Sequence, residues 1–232
     1  MDLQVIANNF SFLILQGFVG IGSFAGGTLR LALPAIVLGF LLGIFIGFGR
    51  LARSRWIALP ATVYVEFFRG VPLVMVIFWI WFIIPAALGK SLPEYGVALT
   101  AFVVFEAAYL GEIVRAGIQS VPRGQMEAAT ATGLSRAQSM AYVVLPQALR
   151  NMIPALVTQF IVLLKDTSLA SIIGYVDLTK AAQIVNNREV RPFELYLFIA
   201  VIYWLCSFAM SRYAGAVERR LNSNARYSAY SS

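Results

Sequence analysis

About five apolar runs, each close to twenty residues long and separated by short polar connections, leave this 232-residue chain few ways to fold. The runs are Thr28–Phe48, Val71–Leu88, Gly96–Val114, Met152–Ile173 and Phe193–Tyr213. A helix of about 20 residues rises roughly 30 Å, which matches the hydrocarbon core of a bilayer. The run at Val71–Leu88 is bracketed by Pro72 and Pro85, and its reading as a span extends back into the amphipathic stretch Trp56–Phe68. None of the runs alternates apolar and polar residues, so the expected fold class is an all-α membrane protein and not a barrel.

Composition agrees. Apolar residues make up 59% of the chain and charged residues 12%, against about a quarter charged in soluble domains; the mean hydropathy is +0.77. The net charge of +7 would suggest nucleic acid on a soluble chain. Here the arginines cluster beside apolar runs, at Arg50, Arg53 and Arg55, at Arg115, Arg123, Arg136 and Arg150, and at Arg219, Arg220 and Arg226. The positive-inside rule places these clusters on the cytoplasmic face, with the N-terminus outside and the C-terminus inside. Histidine is absent and Cys206 is the single cysteine. That argues against disulfides, zinc, any other metal site and histidine-based catalysis, and no cofactor is implied. The chain divides into residues 1–26, where the short glycine-rich run Phe10–Ala25 reads as interfacial or re-entrant, a membrane domain at 27–221, and a cytoplasmic tail at 222–232. Met1-Asp2-Leu3-Gln4 lacks the positive start of a cleaved signal peptide.

One polar stretch, Glu127 to Pro146, interrupts the apolar pattern between the third and fourth runs. Glu127-Ala128-Ala129 are helix formers, and an early carboxylate suits the positive end of a helix dipole. Gly133 can turn the chain sharply. Ser135-x-x-Gln138 has the spacing of a capping box for a second helix, which stops or kinks at Pro146. The stretch reads either as two short helices projecting into the cytoplasm or as an amphipathic helix lying on the membrane surface.

The spacing of Glu127, Ala128, Ala129, Gly133, Val143, Leu145 and Pro146 resembles the coupling segment of permease subunits of ATP-binding-cassette (ABC) importers. The resemblance runs from about Gly27 to Leu221. It implies a type I importer permease fold whose coupling helix docks on a separate ATPase subunit. It also implies a second permease subunit, identical or related, an extracytoplasmic solute-binding protein, and a place in the bacterial cytoplasmic membrane. Glu66-Phe67-Phe68-Arg69-Gly70-Val71-Pro72, Glu112-Ile113-Val114-Arg115-Ala116-Gly117-Ile118 and Lys165-Asp166-Thr167-Ser168-Leu169 are similar to the branch that imports histidine, glutamine, arginine or glutamate. Within it, Pro72–Val76 and Phe105–Tyr109 are most similar to glutamate/aspartate permeases. The chain has no G-x-x-x-x-G-K-[ST] loop, so a separate ATPase must supply the energy.

Ionisable groups at membrane depth are costly and functional by default. Lys165 lies about 18 Å along the fourth run and Glu106 about 15 Å along the third, from opposite faces, so they reach similar depth. Glu106, Lys165, Asp166, Thr167 and Ser168 are therefore candidates for the substrate path, with Lys165 toward a carboxylate and Glu106 or Asp166 toward an ammonium group. The other reading is a structural pair between Lys165 and Glu106 or Asp166. Glu66 and Arg69, three apart, are expected to pair along one helix face and to form an inner-gate network with Glu112 and Arg115. Phe78–Phe82 reads as lipid-facing or interfacial packing. In the outer loop, Tyr175–Ile184 reads as a short surface helix or as a docking surface for the binding protein.

Overall fold

The computed structural model describes residues 4–22 and 26–230, with the side chains of residues 88, 217, 218 and 220–230 outside the description. The expectations placed on residues 23–25, on the basic side chains of Arg220 and Arg226 and on the side chains of the tail therefore lie outside the described residues. Within them the chain is helical throughout: α1 (Gln4–Ser11), continued by a π-helical segment (Phe12–Val19), then α2 (Thr28–Arg50), α3 (Arg55–Gly70), α4 (Leu73–Leu88), α5 (Glu94–Gln119), α6 (Arg123–Ala131), α7 (Arg136–Ser139), a π-helical turn (Met140–Val144), α8 (Leu145–Asp166), a 3₁₀ segment (Thr167–Ile173), α9 (Leu178–Glu189) and α10 (Pro192–Tyr230). Four helical stretches are long and apolar enough to cross a membrane, namely Thr28–Arg50, Glu94–Gln119, Arg136–Ile173 and Pro192–Ala216.

The second expected span is bent. Arg55–Gly70 and Leu73–Ala87 meet at 106° instead of running on as one rod. The cause is local. Pro72 disfavours helical geometry at the residue before it, and Val71 is extended at φ −113° and ψ 148°. The tyrosine hydroxyl of Tyr64 donates to the Val104 carbonyl at 2.5 Å and ties α3 to α5 across the bend. The aromatic run on α4 is divided: Ile80 and Trp81 pack on the core, while Trp79 and Phe82 are exposed.

α5 is the axis of the bundle. α2, α3, α4 and α8 all pack against it, α2 most extensively. Lipid gives helices no hydrophobic reason to associate, so close van der Waals packing must hold them. α2 achieves this with small residues: a Cβ at Gly43 would stand 2.8 Å from the Leu110 Cβ, and one at Gly47 would stand 2.8 Å from the Gly111 carbonyl. Leu31, Ala35, Ile77, Ala101, Phe102 and Leu163 fill the main core around this axis.

Pro146 does not stop the fourth helix. Arg136–Ile173 is one continuous helical stretch. Proline removes a backbone donor and its ring crowds the carbonyl one turn back. The π turn just ahead of it, where the Leu145 N–H reaches back to the Met140 carbonyl, widens the helix to accommodate this. α9 is also more than a surface helix. Leu178, Ala181, Ala182 and Val185 are buried with Leu13 of the π-helical segment and Leu195 and Ile199 of α10. The connection between the fourth and fifth spans is thereby folded against the N-terminal helix.

Candidate functional site

The polar stretch forms the expected hairpin. α6 is closed by Gly133 at φ 89°, a conformation that side chains with a Cβ rarely adopt, and the Gly133 N–H reaches the Thr130 carbonyl at 3.0 Å. Ser135 then caps α7 with a complete capping box: the Gln138 N–H donates to the Ser135 hydroxyl at 3.3 Å and the Ser135 N–H to the Gln138 side chain at 2.9 Å. Glu127 and Ala128 face outward and Ala129 inward, as helical spacing requires. One expectation fails. α6 starts at Arg123, so Glu127 lies in mid-helix and not in the first turn, which holds no acidic residue. Glu127 thus stands too far along α6 to meet the positive end of its dipole, and its side chain is exposed.

The hairpin is rooted firmly. Val121, Val144, Ala148 and Met152 are buried together with Val114 and Ile118 of α5. Gln147 of α8 bridges to Gln125 of α6 at 3.2 Å and to the Val143 carbonyl at 2.9 Å. Val143, Leu145 and Pro146 therefore belong to the stem that joins the hairpin to α8.

Deeper in the bundle, Glu106 of α5 is fully buried. Gln159 of α8 donates to its Oε2 at 2.9 Å, and its Oε1 has no hydrogen-bond partner. Asp166 acts on it through space. The structure does not bring Lys165 to this carboxylate. Lys165 is exposed and lines a recess of about 470 Å³ with Ser168 of the 3₁₀ segment and Ala200, Tyr203, Trp204 and Ser207 of α10. Thr167 is buried and donates to the Leu164 carbonyl at 2.7 Å. Of the five substrate-path candidates, Asp166 thus acts on Glu106, Lys165 and Ser168 share the recess, and Thr167 is turned to the backbone of its own helix. Among the described residues no ion pair joins Lys165 to Glu106 or to Asp166, although the Lys165 charge acts on Asp166 through space.

The ion network toward the hairpin end differs from the expected one in its central residue. Arg50 of α2 bonds Glu112 of α5 and, at 3.2 Å, Glu66 of α3. Arg115 donates to both Glu112 oxygens, to Oε1 at 2.5 Å and at 2.8 Å to the Oε2 that Arg50 also bonds, and it also donates to Gln119. Glu66 and Arg69 do not pair. The Arg69 guanidinium lies over the Tyr109 ring, 5.6 Å from its centre. Sequence spacing pointed along α3, whereas the packing of α2 and α3 on α5 puts Arg50 between two carboxylates. Arg50 was missed as a site residue because it ends an apolar run and reads as a topology signal.

At the opposite end, Asp177 is buried and caps α9 by accepting from the Thr179 and Lys180 N–H groups at 3.0 and 2.8 Å and from the Tyr203 hydroxyl at 3.2 Å. Burial pushes its carboxyl up to about 6, against the lowering effect of these donors. Tyr175, also buried, donates to the Gly27 carbonyl at 2.9 Å, and burial raises its hydroxyl pKa. Among the described residues no group of three His, Cys, Asp or Glu residues could hold a metal ion.

A rooted polar hairpin between membrane helices and a bent helix pair beside a central α5 make up a multi-spanning helical bundle with a polar projection at one end. Residues 39–223 match the family model described as binding-protein-dependent transport system inner membrane component, and the chain belongs to that family. It is 40% identical over 200 residues to the glutamate/aspartate import permease protein GltK of Escherichia coli O157:H7, covering 83% of this chain and 89% of that protein. It is 39% identical over 196 residues to the probable glutamine ABC transporter permease protein GlnP of Bacillus subtilis strain 168, with the same coverage. A crystal structure of an amino acid ABC transporter with histidines superposes with a TM-score of 0.86 at 34% identity, covering 95% of this chain and 99% of that one. An inward-facing structure of the MetNI methionine ABC transporter shares the fold, with a TM-score of 0.66 at 20% identity. The chain is thus a multi-pass inner-membrane permease subunit of an amino-acid ABC importer, with the type I fold. Such subunits are non-catalytic, and ATP is hydrolysed by a separate ATPase.

Proposed function

We propose that this permease imports glutamate or aspartate, and that an ATPase pair drives it through the Glu127–Pro146 hairpin. The cargo reading is supported by the 40% identity to a glutamate/aspartate permease. Glutamine is the second reading, favoured by the 39% identity to a probable glutamine permease. The observation that carries the mechanism is the rooting of the hairpin. An exposed two-helix projection is joined to α8 without a break and packed at its base against α5. Both helices carry candidate cargo contacts deeper in the bundle. A push on Glu127, Ala128, Ala129 and Gly133 therefore travels through Leu145 and Pro146 to the Glu106–Gln159 pair.

In this reading the hairpin, the arginine clusters and the C-terminus face the cytoplasm, and the N-terminus lies outside. Two permease subunits, identical or homologous, enclose the path, and an extracytoplasmic solute-binding protein delivers the amino acid. Glu106, with Asp166 beside it, receives the α-ammonium group: its unpartnered Oε1 is a buried acceptor that a cationic donor would satisfy. Lys165, with Thr167 and Ser168 beside it, meets a carboxylate from the α10 side. Glu66, Glu112 and Arg115, joined by Arg50, hold the inner ends of α2, α3 and α5 together and open as the hairpin moves; Arg69, over Tyr109, belongs to the same inner region.

The experiment is uptake by proteoliposomes holding the permease and its ATPase, with the binding protein outside and ATP inside. Radiolabelled glutamate, aspartate and glutamine are compared at equal concentration. Accumulation of glutamate or aspartate supports the proposal, and accumulation of glutamine alone replaces its cargo.

A further inference from the structure

Arg69 is the cation left over from the inner ion network. The ion pairs of this region join Arg50 to Glu66 and Glu112, and Arg115 to Glu112. Arg69 takes part in none of them, although its charge reaches Glu112 through space. Three guanidiniums, those of Arg50, Arg69 and Arg115, face two carboxylates, which leaves this region one positive charge in excess.

Its position is unusual for an unpaired charge. Arg69 is exposed on the chain and stands against Tyr109, which lies about 22 Å along α5 from its Pro93 end. A guanidinium at that depth is strongly disfavoured against hydrocarbon and is tolerated where it faces a water-filled path. Tyr109 is also one helical turn from Glu106 on one side and one turn from Glu112 on the other. Arg69 therefore sits between the buried carboxylate and the inner network.

We infer that Arg69 is a cargo-binding residue that receives a carboxylate of the amino acid on its way from Glu106 to the inner end of the path. The inference rests on the amino-acid-import reading. Chemistry favours the exchange. A cation over a ring face is held loosely, whereas a guanidinium fork binds a carboxylate through two parallel, charge-assisted hydrogen bonds. The stack on Tyr109 keeps Arg69 in place until a stronger partner arrives. The unpartnered Glu106 Oε1 and the unpaired Arg69 are of opposite charge, as are the two ends of an amino acid. An acidic cargo offers two carboxylates, one on the α-carbon and one on the side chain, and either supplies the same chemistry.

The test is equilibrium binding of tritiated glutamate to the purified permease–ATPase complex without the binding protein, in wild type and in Arg69→Gln. The expected result is a Kd at least tenfold higher in Arg69→Gln. Glutamine and the α-amide of glutamate then tell the two carboxylates apart. The ligand lacking the one that Arg69 reads binds wild type weakly and is indifferent to the substitution. A second measurement needs no variant: phenylglyoxal modifies exposed arginines, and saturating glutamate should slow modification of Arg69 several-fold in wild type. An unchanged Kd together with no protection of Arg69 overturns the inference while leaving amino-acid import intact. If wild type binds glutamine and not glutamate, the acidic-cargo reading falls, and the Arg69→Gln comparison with glutamine then decides the inference through the α-carboxylate. If it binds no amino acid, both fall.

Discussion

Gln159 of α8 donates to Glu106 of α5 at 2.9 Å, and the second Glu106 oxygen, equally enclosed, has no partner. A buried acceptor left open costs about 1–3 kcal/mol, more when it is charged. Evolution of a merely structural carboxylate would be expected to supply a second donor. The neighbouring Gly39 lets α2 lie close against α5 at this point, since a Cβ added there would stand 3.2 Å from the Glu106 Cβ.

Glu106→Gln keeps the shape and the contact with Gln159 but removes the charge. Its initial uptake rate in the assembled complex is expected to fall about tenfold or more, with ATPase binding unchanged. Wild-type uptake would take Glu106 out of the cargo path.

Gly133→Val should fail at the hairpin alone. A Cβ there meets nothing within 4 Å, so the obstacle is the backbone angle of 89° and not crowding. Forcing a β-branched residue into that region costs about 1–3 kcal/mol. The variant is expected to reach the membrane in normal amount and to lose co-purification with the ATPase. Gly133→Asn, which tolerates positive φ better, should recover part of it.

Arg50 and Glu112 should prove coupled. A double-mutant cycle with Arg50→Gln and Glu112→Gln, read from denaturation midpoints of the purified protein, is expected to give an interaction energy of about 1–3 kcal/mol. The same cycle with Glu66→Gln should give less, because Glu66 is largely exposed. Additive effects in the first cycle would make Arg50 a topology signal only.

Asp177 gives a pH dependence of definite sign. Its carboxyl is raised to about 6 in the fold, against 3.8 for the free group. The fold therefore favours the protonated form: this contribution to stability is fully present below about 4 and is lost as pH rises through about 6. Between those limits wild type should lose stability relative to Asp177→Asn, whose side chain does not ionise. Parallel stability curves for the two proteins between pH 4 and 7 would contradict this.

Much of the fold was legible because membrane spans are written in long apolar runs, and the hairpin because Gly133 and the Ser135–Gln138 box are local signals. What escaped depended on contacts between distant segments. Val71-Pro72 looked like the start of a span, yet a 106° bend needs only one extended residue and its tertiary support from Tyr64. Pro146 read as a stop or a kink, and the helix runs on through it behind a π turn five residues long. Glu66 and Arg69 had the right spacing to pair, and lost to Arg50, sixteen residues earlier, which only helix packing brings near. Glu106 was legible as a costly charge, but its partner Gln159 was not, because a glutamine in a span carries no comparable signal.

The most direct measurement is uphill transport by purified protein in sealed vesicles with the binding protein outside, with and without the ATPase and internal ATP. The account predicts accumulation of amino acid when both are present, and none from the permease alone or from vesicles in which Gly133→Val permease is mixed with the ATPase. Accumulation by the permease alone, with no ATPase in the vesicle, would contradict it.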